Sequence, residues 1–210
     1  MSPLSSSTSI RTSVAEPEQT EIYLEERIAM SDFALAFEHT MSFEDDPQHP
    51  GKVTHDAGGR TRFGIANKFH PGLPEEFWTG PADEARAQAE TIELEQYWRP
   101  LSLDDVEAQA VASKIFDMGV NMGVHQAAIL SQRAVNFVLS ITGAQALPPA
   151  TRLTEDGVIG STTLLHLNSL DPADVLKTLR AFADAYYRHI VGVNPSQAVN
   201  LDGWLRRAAV

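Results

Sequence analysis

The sequence predicts a mainly α fold of the α+β kind, a helical bundle lobe carrying a small β-hairpin lobe, and three observations lead there. Phe33, Phe37, Thr40, Met41 and Glu44 follow one another at helical spacing. Longer stretches, Ser102 to Met118, His125 to Ile141 and Asp171 to Ile190, repeat apolar residues with the same period. Strand alternation is confined to one place, where Thr61, Phe63 and Ile65 interleave with Arg60, Arg62 and Gly64 after the turn signal Gly58-Gly59.

Taken in order, residues 1–29 open with Ser and Thr and turn acidic through Glu16, Glu18, Glu21, Glu25 and Glu26, a composition expected to form a disordered tail. Ile22, Tyr23, Leu24 and Ile28 are the residues in it that could dock on a partner or on the core. Ser31 is the expected cap of a helix running to about Phe43. The segment DPQHP is a loop, and KVTHDAGGRTRFGI is the hairpin. Pro71, Gly72, Pro74, Gly80 and Pro81 make residues 66–82 mostly loop, with one turn around Glu75 to Trp78. A helix follows from Asp83 to Trp98 and is stopped by Pro100.

Ser102 with Asp105 reads as a capping box opening a helix to Met118, with Val106, Ala110, Val111, Ile115 and Met118 inward. Gly119 and Gly123 break it, and an apolar helix runs from His125 to Ile141. After the loop 142–153, Asp156-Gly157 and Gly160 form a Gly-dependent turn into a helix begun by Ser161 or Thr162. Asp171-Pro172 starts the next helix by the rule that places Asp at the cap and Pro at the first position. Asn194-Pro195 ends it.

Composition narrows the function. A chain of 210 residues with 43% hydrophobic and 21% charged residues is an ordinary globular protein. The net charge of -12 argues against a nucleic-acid partner and against a polybasic membrane anchor. No cysteine is present, which excludes disulfides, thiol nucleophiles and Cys-ligated zinc. No apolar run is long enough for a transmembrane helix, and the N-terminus has no apolar signal-peptide segment. His49, His55 and His70 lie close in sequence but form no His-Glu-x-x-His string, so neither a metal nor any other cofactor is expected.

The chemistry concentrates in residues 33–65. Helical spacing puts Glu44 on the face of Phe33, Phe37 and Met41 that must point inward, and burial raises a carboxyl pKa toward the range useful to a general acid. The bland alternative is a solvated carboxylate at a helix end beside Asp45 and Asp46. Asp56 and Thr61 fall near the hairpin turn; opposite Glu44 across a cleft they would supply a second carboxylate and a hydroxyl to hold a water, the parts of a glycosidase site. Glu38 is the nearest rival acid, turned away from the Glu44 face, and Asp45 and Asp46 are the alternative second carboxylates.

The Phe eleven residues before Glu44, the Pro-containing loop and the segment from Asp56 through Gly58, Gly59, Thr61, Phe63, Gly64 and Ile65 together resemble the N-acetylmuramidases of glycoside hydrolase family 108. Tyr97, Trp98 and Pro100 resemble that family's Tyr-Trp-x-Pro signature, FDMGVNMG its Phe-Asp-x-x-Val-Asn-x-Gly motif, and Gly203, Trp204 and Arg207 its ending. The string from Asp156 to Leu164 resembles the peptidoglycan-binding segment fused to it. The Glu44 to Asp56 spacing of twelve is longer than usual in the family.

This resemblance implies a lysozyme-like fold with a cleft between a hairpin lobe, about 30–80, and a helical lobe. It implies a catalytic region at 30–145 and a wall-binding-like helical region at 146–210 packed on the same core. Glu44 would be the acid, with Asp56 and Thr61 positioning water, and the substrate would be the β-1,4 bond between N-acetylmuramic acid and N-acetylglucosamine. Tyr97 and Trp98 either stack on sugar or close the core. Asp117 and Asn121 either contact substrate or cap helices. A phage lysin reaching the wall from the host cytoplasm by a holin-like route, or carried on a virion, is the expected setting. A lytic transglycosylase on the same fold and a non-catalytic wall-binding or secretion-related protein are the alternatives.

Overall fold

The computed structural model describes residues 30–44, 48–56, 59–142 and 152–210; the expected tail at 1–29, and Asp45 and Asp46, lie outside them. Helix α1 spans Phe33–Glu44. Asp32, not Ser31, caps it: the Asp32 carboxylate accepts the Ala34 N–H at 2.8 Å. Ser31 is buried and donates its hydroxyl to the Val106 carbonyl at 2.5 Å, so its side chain is already committed to another loop. Gln109 completes this junction, accepting the Asp32 N–H and donating to the Asp32 carbonyl. The start of α1 is therefore tied to the start of a helix 77 residues later.

The hairpin widens into a three-stranded antiparallel sheet of β1 (Thr54–Asp56), β2 (Gly59–Arg62) and β3 (Ile65–Ala66), in the order β1-β2-β3. Phe63 and Gly64, both at positive φ, form the two-residue turn between Arg62 and Ile65, as a tight hairpin requires. Arg62 is buried and donates to the carbonyls of Gly51, Phe77 and Gly80 at 2.8, 2.6 and 3.0 Å. One guanidinium thus satisfies three backbone carbonyls, at Gly51, in α2 and just after it, and holds the small lobe together.

Helices α2 (Glu75–Thr79) and α3 (Ala82–Glu93) cover the sheet, and Phe37, Met41, Phe63, Ile65, Phe77 and Trp78 form the small lobe's core. Beyond α3 the chain tightens irregularly, through a π-helical turn at Leu94–Trp98 and 3-10 turns at Arg99–Leu101 and Leu103–Asp105. The helix expected from Ser102 begins only at Gln109. Ser102 has φ 51 and separates the two 3-10 turns, while Leu101, Leu103 and Val106 are buried from a non-helical path. Ala110, expected inward, is accordingly exposed.

The large lobe consists of α4 (Gln109–Met122), α5 (Val124–Thr142), α6 (Ser161–Ser169), α7 (Pro172–Val193), a 3-10 turn at Pro195–Asn200 and α8 (Leu201–Ala208). Asp171 caps α7 by accepting the Ala173 N–H at 2.8 Å. Helix α7 packs against α4, α5 and α8. Leu153, Ile159, Leu167 and Leu170 share one apolar core with Trp98, Ile115 and Phe116, so the chain from residue 152 onward is built onto the earlier helices. Phe33 touches both cores. The result is mainly α and lysozyme-like. Among the described residues no helix is long and apolar enough to cross a membrane.

Candidate active site

Glu44 is the last residue of α1, and Asp56 is the last of β1, in register with Gly59; their side chains lie outside the described residues. Thr61, half-buried, is in register with Thr54, so alternation places positions 54, 56, 59 and 61 on one face of the sheet. Glu38 is exposed and paired with Arg86 at 2.8 Å, an ordinary surface ion pair. His49 and His55, the latter in β1, are exposed, and burial lowers the pKa of His70.

Two adjoining cavities share lining residues from α4 and α8. The first, about 330 Å³, is lined by Phe69, Tyr97, Asn121, Tyr186, Ile190 and Trp204, among others. The second, about 440 Å³, is lined by Phe43, Asn121, Asn200, Asp202, Trp204 and Arg206, among others. Asn121 and Trp204 line both, which makes one groove with an aromatic end and a polar end. Phe43, the residue before Glu44, borders the polar end, and Phe69 reaches the aromatic end from the loop after β3. The groove therefore draws on both lobes.

Local structure explains several of these placements. The π-helical turn adds a residue to the helical path and sends Trp98 inward and Tyr97 to the groove. Gly119 allows the 3-10 turn Arg99–Leu101 to approach α4, since a Cβ there would lie 2.8 Å from the Leu101 side chain. Burial, with the Glu93 charge adding to it, raises the Tyr97 hydroxyl above its ordinary pKa. Tyr187 stacks under Trp204 at 5.2 Å between ring centroids, and its hydroxyl accepts the Asn121 amide at 2.9 Å.

Two expected substrate contacts are corrected. Trp98 is 0% exposed, packs edge-on against Phe33 and Phe116, and donates its indole N–H to Asp104; it belongs to the core and no sugar reaches it. Asp117 is 1% exposed, in the middle of α4, and neither caps a helix nor meets the groove. It accepts two bonds from Arg207, at 3.0 and 2.7 Å, and pairs with Lys114 at 3.5 Å. Lys114 also donates to the Arg207 carbonyl. Burial pulls the Lys114 ammonium below its ordinary pKa although Asp117 opposes that shift. This network clamps α8 to α4.

A separate polar cavity of about 370 Å³ lies at the Asp156-Gly157 turn, lined by Gln132, Arg152, Asp156, Val158 and the start of α6. Gln132 builds the turn: its amide donates to the Asp156 carboxylate at 2.7 Å and the Val158 carbonyl at 2.9 Å, and its oxygen accepts the Gly157 N–H at 3.0 Å. Gly157 has φ +76, and a Cβ there would meet the His125 ring at 2.4 Å. Only glycine fits.

Among the groove residues that sequence reading did not place there are Phe69, Tyr186, Trp204 and Arg206. Phe69, an aromatic in a Pro/Gly-rich loop, carried the one local signal of a surface role, and it is 71% exposed. The others become neighbours only through the return of α7 and α8.

Comparison with known proteins gives two findings. The family model described as glycosyl hydrolase 108 matches residues 47–123. The structure of SagA from Brucella abortus superposes with a TM-score of 0.58 at 22% identity, over 84% of this chain and 89% of that one. No curated protein matches. The superposition shows a shared fold, and the family match supports a glycosidase. Residues 47–123 thus match the glycosyl hydrolase 108 model, and the chain has a mainly α, lysozyme-like fold.

Proposed function

We propose that the protein hydrolyses the β-1,4 bond between N-acetylmuramic acid and N-acetylglucosamine in peptidoglycan. The observation that carries this reading is the family match over residues 47–123, which spans the sheet and the Tyr97 and Asn121 side of the groove, with Glu44 ending α1 beside its polar cavity. In this account Glu44 protonates the leaving glycosidic oxygen. Asp56 and Thr61, on one face of the sheet by register, hold the water that attacks the anomeric carbon. Tyr97 and Asn121 line the path of the strand. A phage lysin is the biological setting that fits this activity best.

Digestion of purified sacculi followed by mass spectrometry of the products tests the proposal. Hydrolysis gives reducing N-acetylmuramic acid ends. Products lighter by one water, with an anhydro sugar, would show a transglycosylase, and binding to sacculi with no soluble fragments would remove the enzyme reading.

A further inference from the structure

We infer that Trp204, on the C-terminal helix and outside the segment that matches the family model, is the platform of an N-acetylhexosamine subsite, with Phe69 as the second apolar wall of the same slot. The inference rests on the glycan-hydrolase reading above. It assigns to α8 a part in holding the substrate strand, where the sequence suggested only a wall-binding-like region.

Four observations support it. Trp204 lines both cavities of the groove, so a strand lying along the groove has to pass it. One face of its indole is fixed by the Tyr187 ring, stacked at an interplanar angle of 22°, and Tyr187 is itself held by Asn121; the ring is rigid before any ligand arrives. Preorganised aromatic faces bind at low conformational cost. Phe69 is 71% exposed and, among the described residues, makes no ring–ring contact, its only aromatic-face partner being the Lys68 ammonium. A large exposed aromatic beside an aromatic-lined cavity marks a binding surface, not a core residue out of place.

The chemistry selects the occupant. A pyranose presents an apolar face of C–H groups and an equatorial rim of hydroxyls, and an acetamido group adds a methyl beside an amide. The cavity offers apolar rings in Phe69, Tyr97, Tyr186 and Trp204 with Asn121 at its junction with the polar end. At about 330 Å³ it lies within the usual size of small-molecule sites, roughly 300–1,000 Å³. A charged or fully polar ligand would gain little there.

The protein has three tryptophans, and Trp78 and Trp98 are 3% and 0% exposed. Quenching of indole emission by iodide therefore reports mainly on Trp204. Peptide-free glycan strands, added to the full chain carrying Glu44→Gln to prevent turnover, should shield that emission at least twofold. In the otherwise native enzyme Trp204→Ala should raise KM for sacculi about tenfold with little change in kcat, and Trp204→Phe should restore most of the loss. Circular dichroism of both variants checks that the Tyr187 neighbourhood still folds. Absence of shielding, or an unchanged KM in Trp204→Ala, overturns the subsite while leaving hydrolysis intact. Shielding without release of glycan fragments by the wild-type chain keeps the subsite and overturns the hydrolase reading.

Discussion

The side-chain amide of Asn121 donates to the Tyr187 hydroxyl across 2.9 Å, joining α4, inside the segment matched to glycosyl hydrolase 108, to α7, outside it. Burial, reinforced by the Asp117 charge, raises the Tyr187 pKa far above its ordinary value, so the hydroxyl stays protonated at any working pH. Tyr187→Phe keeps the ring under Trp204 and removes only the acceptor. It should cost about 1 kcal/mol in urea unfolding and raise KM more than it lowers kcat, because Asn121 loses its orientation. An unchanged KM would show that Asn121 has no part in the groove.

Asp117 lies between two buried cations, and removing it leaves Lys114 and Arg207 facing each other without the carboxylate. Asp117→Ala should destabilise the chain by roughly 3 kcal/mol or more, the usual outcome when one member of a buried ion network is deleted. Because Arg207 anchors α8, Trp204 fluorescence should become more accessible to iodide before the global transition. A loss below 1 kcal/mol would mean that α8 is held by its apolar contacts alone.

Arg62 has a comparable role in the small lobe. Arg62→Ala strands three carbonyls around Gly51, Phe77 and Gly80 and should cost about 3 kcal/mol. Hydrogen exchange should locate the loss in residues 51–80, leaving α4 and α5 protected. Arg62→Lys, with a single donor group, should recover only part of it.

Stability should also fall on the acid side. Hydrogen bonds from the Gln132 amide and then the Val158 N–H hold the Asp156 carboxyl below its ordinary 3.8. Burial pushes Glu155 up, but Arg133, Asn136 and Arg152 outweigh it and leave it below 4.5. A carboxyl depressed by folding contributes stability above its unfolded pKa and loses it as pH falls through the folded one. His70, whose pKa burial lowers, should begin the decline of melting temperature as pH falls below about 6.5, and the two carboxyls should steepen it below about pH 4.5. Asp156→Asn should flatten that decline; an equal slope in the variant would rule Asp156 out as a contributor.

Local signals in the sequence were read correctly where one residue dictates one geometry. Asp171-Pro172 starts α7, and Gly64, at positive φ, closes the tight turn between β2 and β3. Ser31 misled because a buried carbonyl 75 residues away holds its hydroxyl. The capping-box pattern of Ser102 and Asp105 misled because those residues fall at 3-10 turns and not at a helix start, which leaves Val106 buried from a non-helical path and Ala110 exposed. Tyr97 and Trp98 are adjacent in sequence, yet only the π-helical turn decides which ring enters the core. Asp117 was read as a cap or contact because its partner, Arg207, lies 90 residues on. The aromatic end of the groove has no sequence signature for the same reason: Phe69, Tyr97, Tyr186 and Trp204 come together only through tertiary packing.

The central claim is that Glu44, at the end of α1, delivers the proton that breaks a glycan strand. Turbidity of purified, outer-membrane-free peptidoglycan, followed with the wild-type chain and with a folded Glu44→Gln variant, tests it most directly. The account predicts clearing by the wild type and a loss of at least a hundredfold in the variant, as expected for removal of a general acid. Equal clearing by both would contradict it.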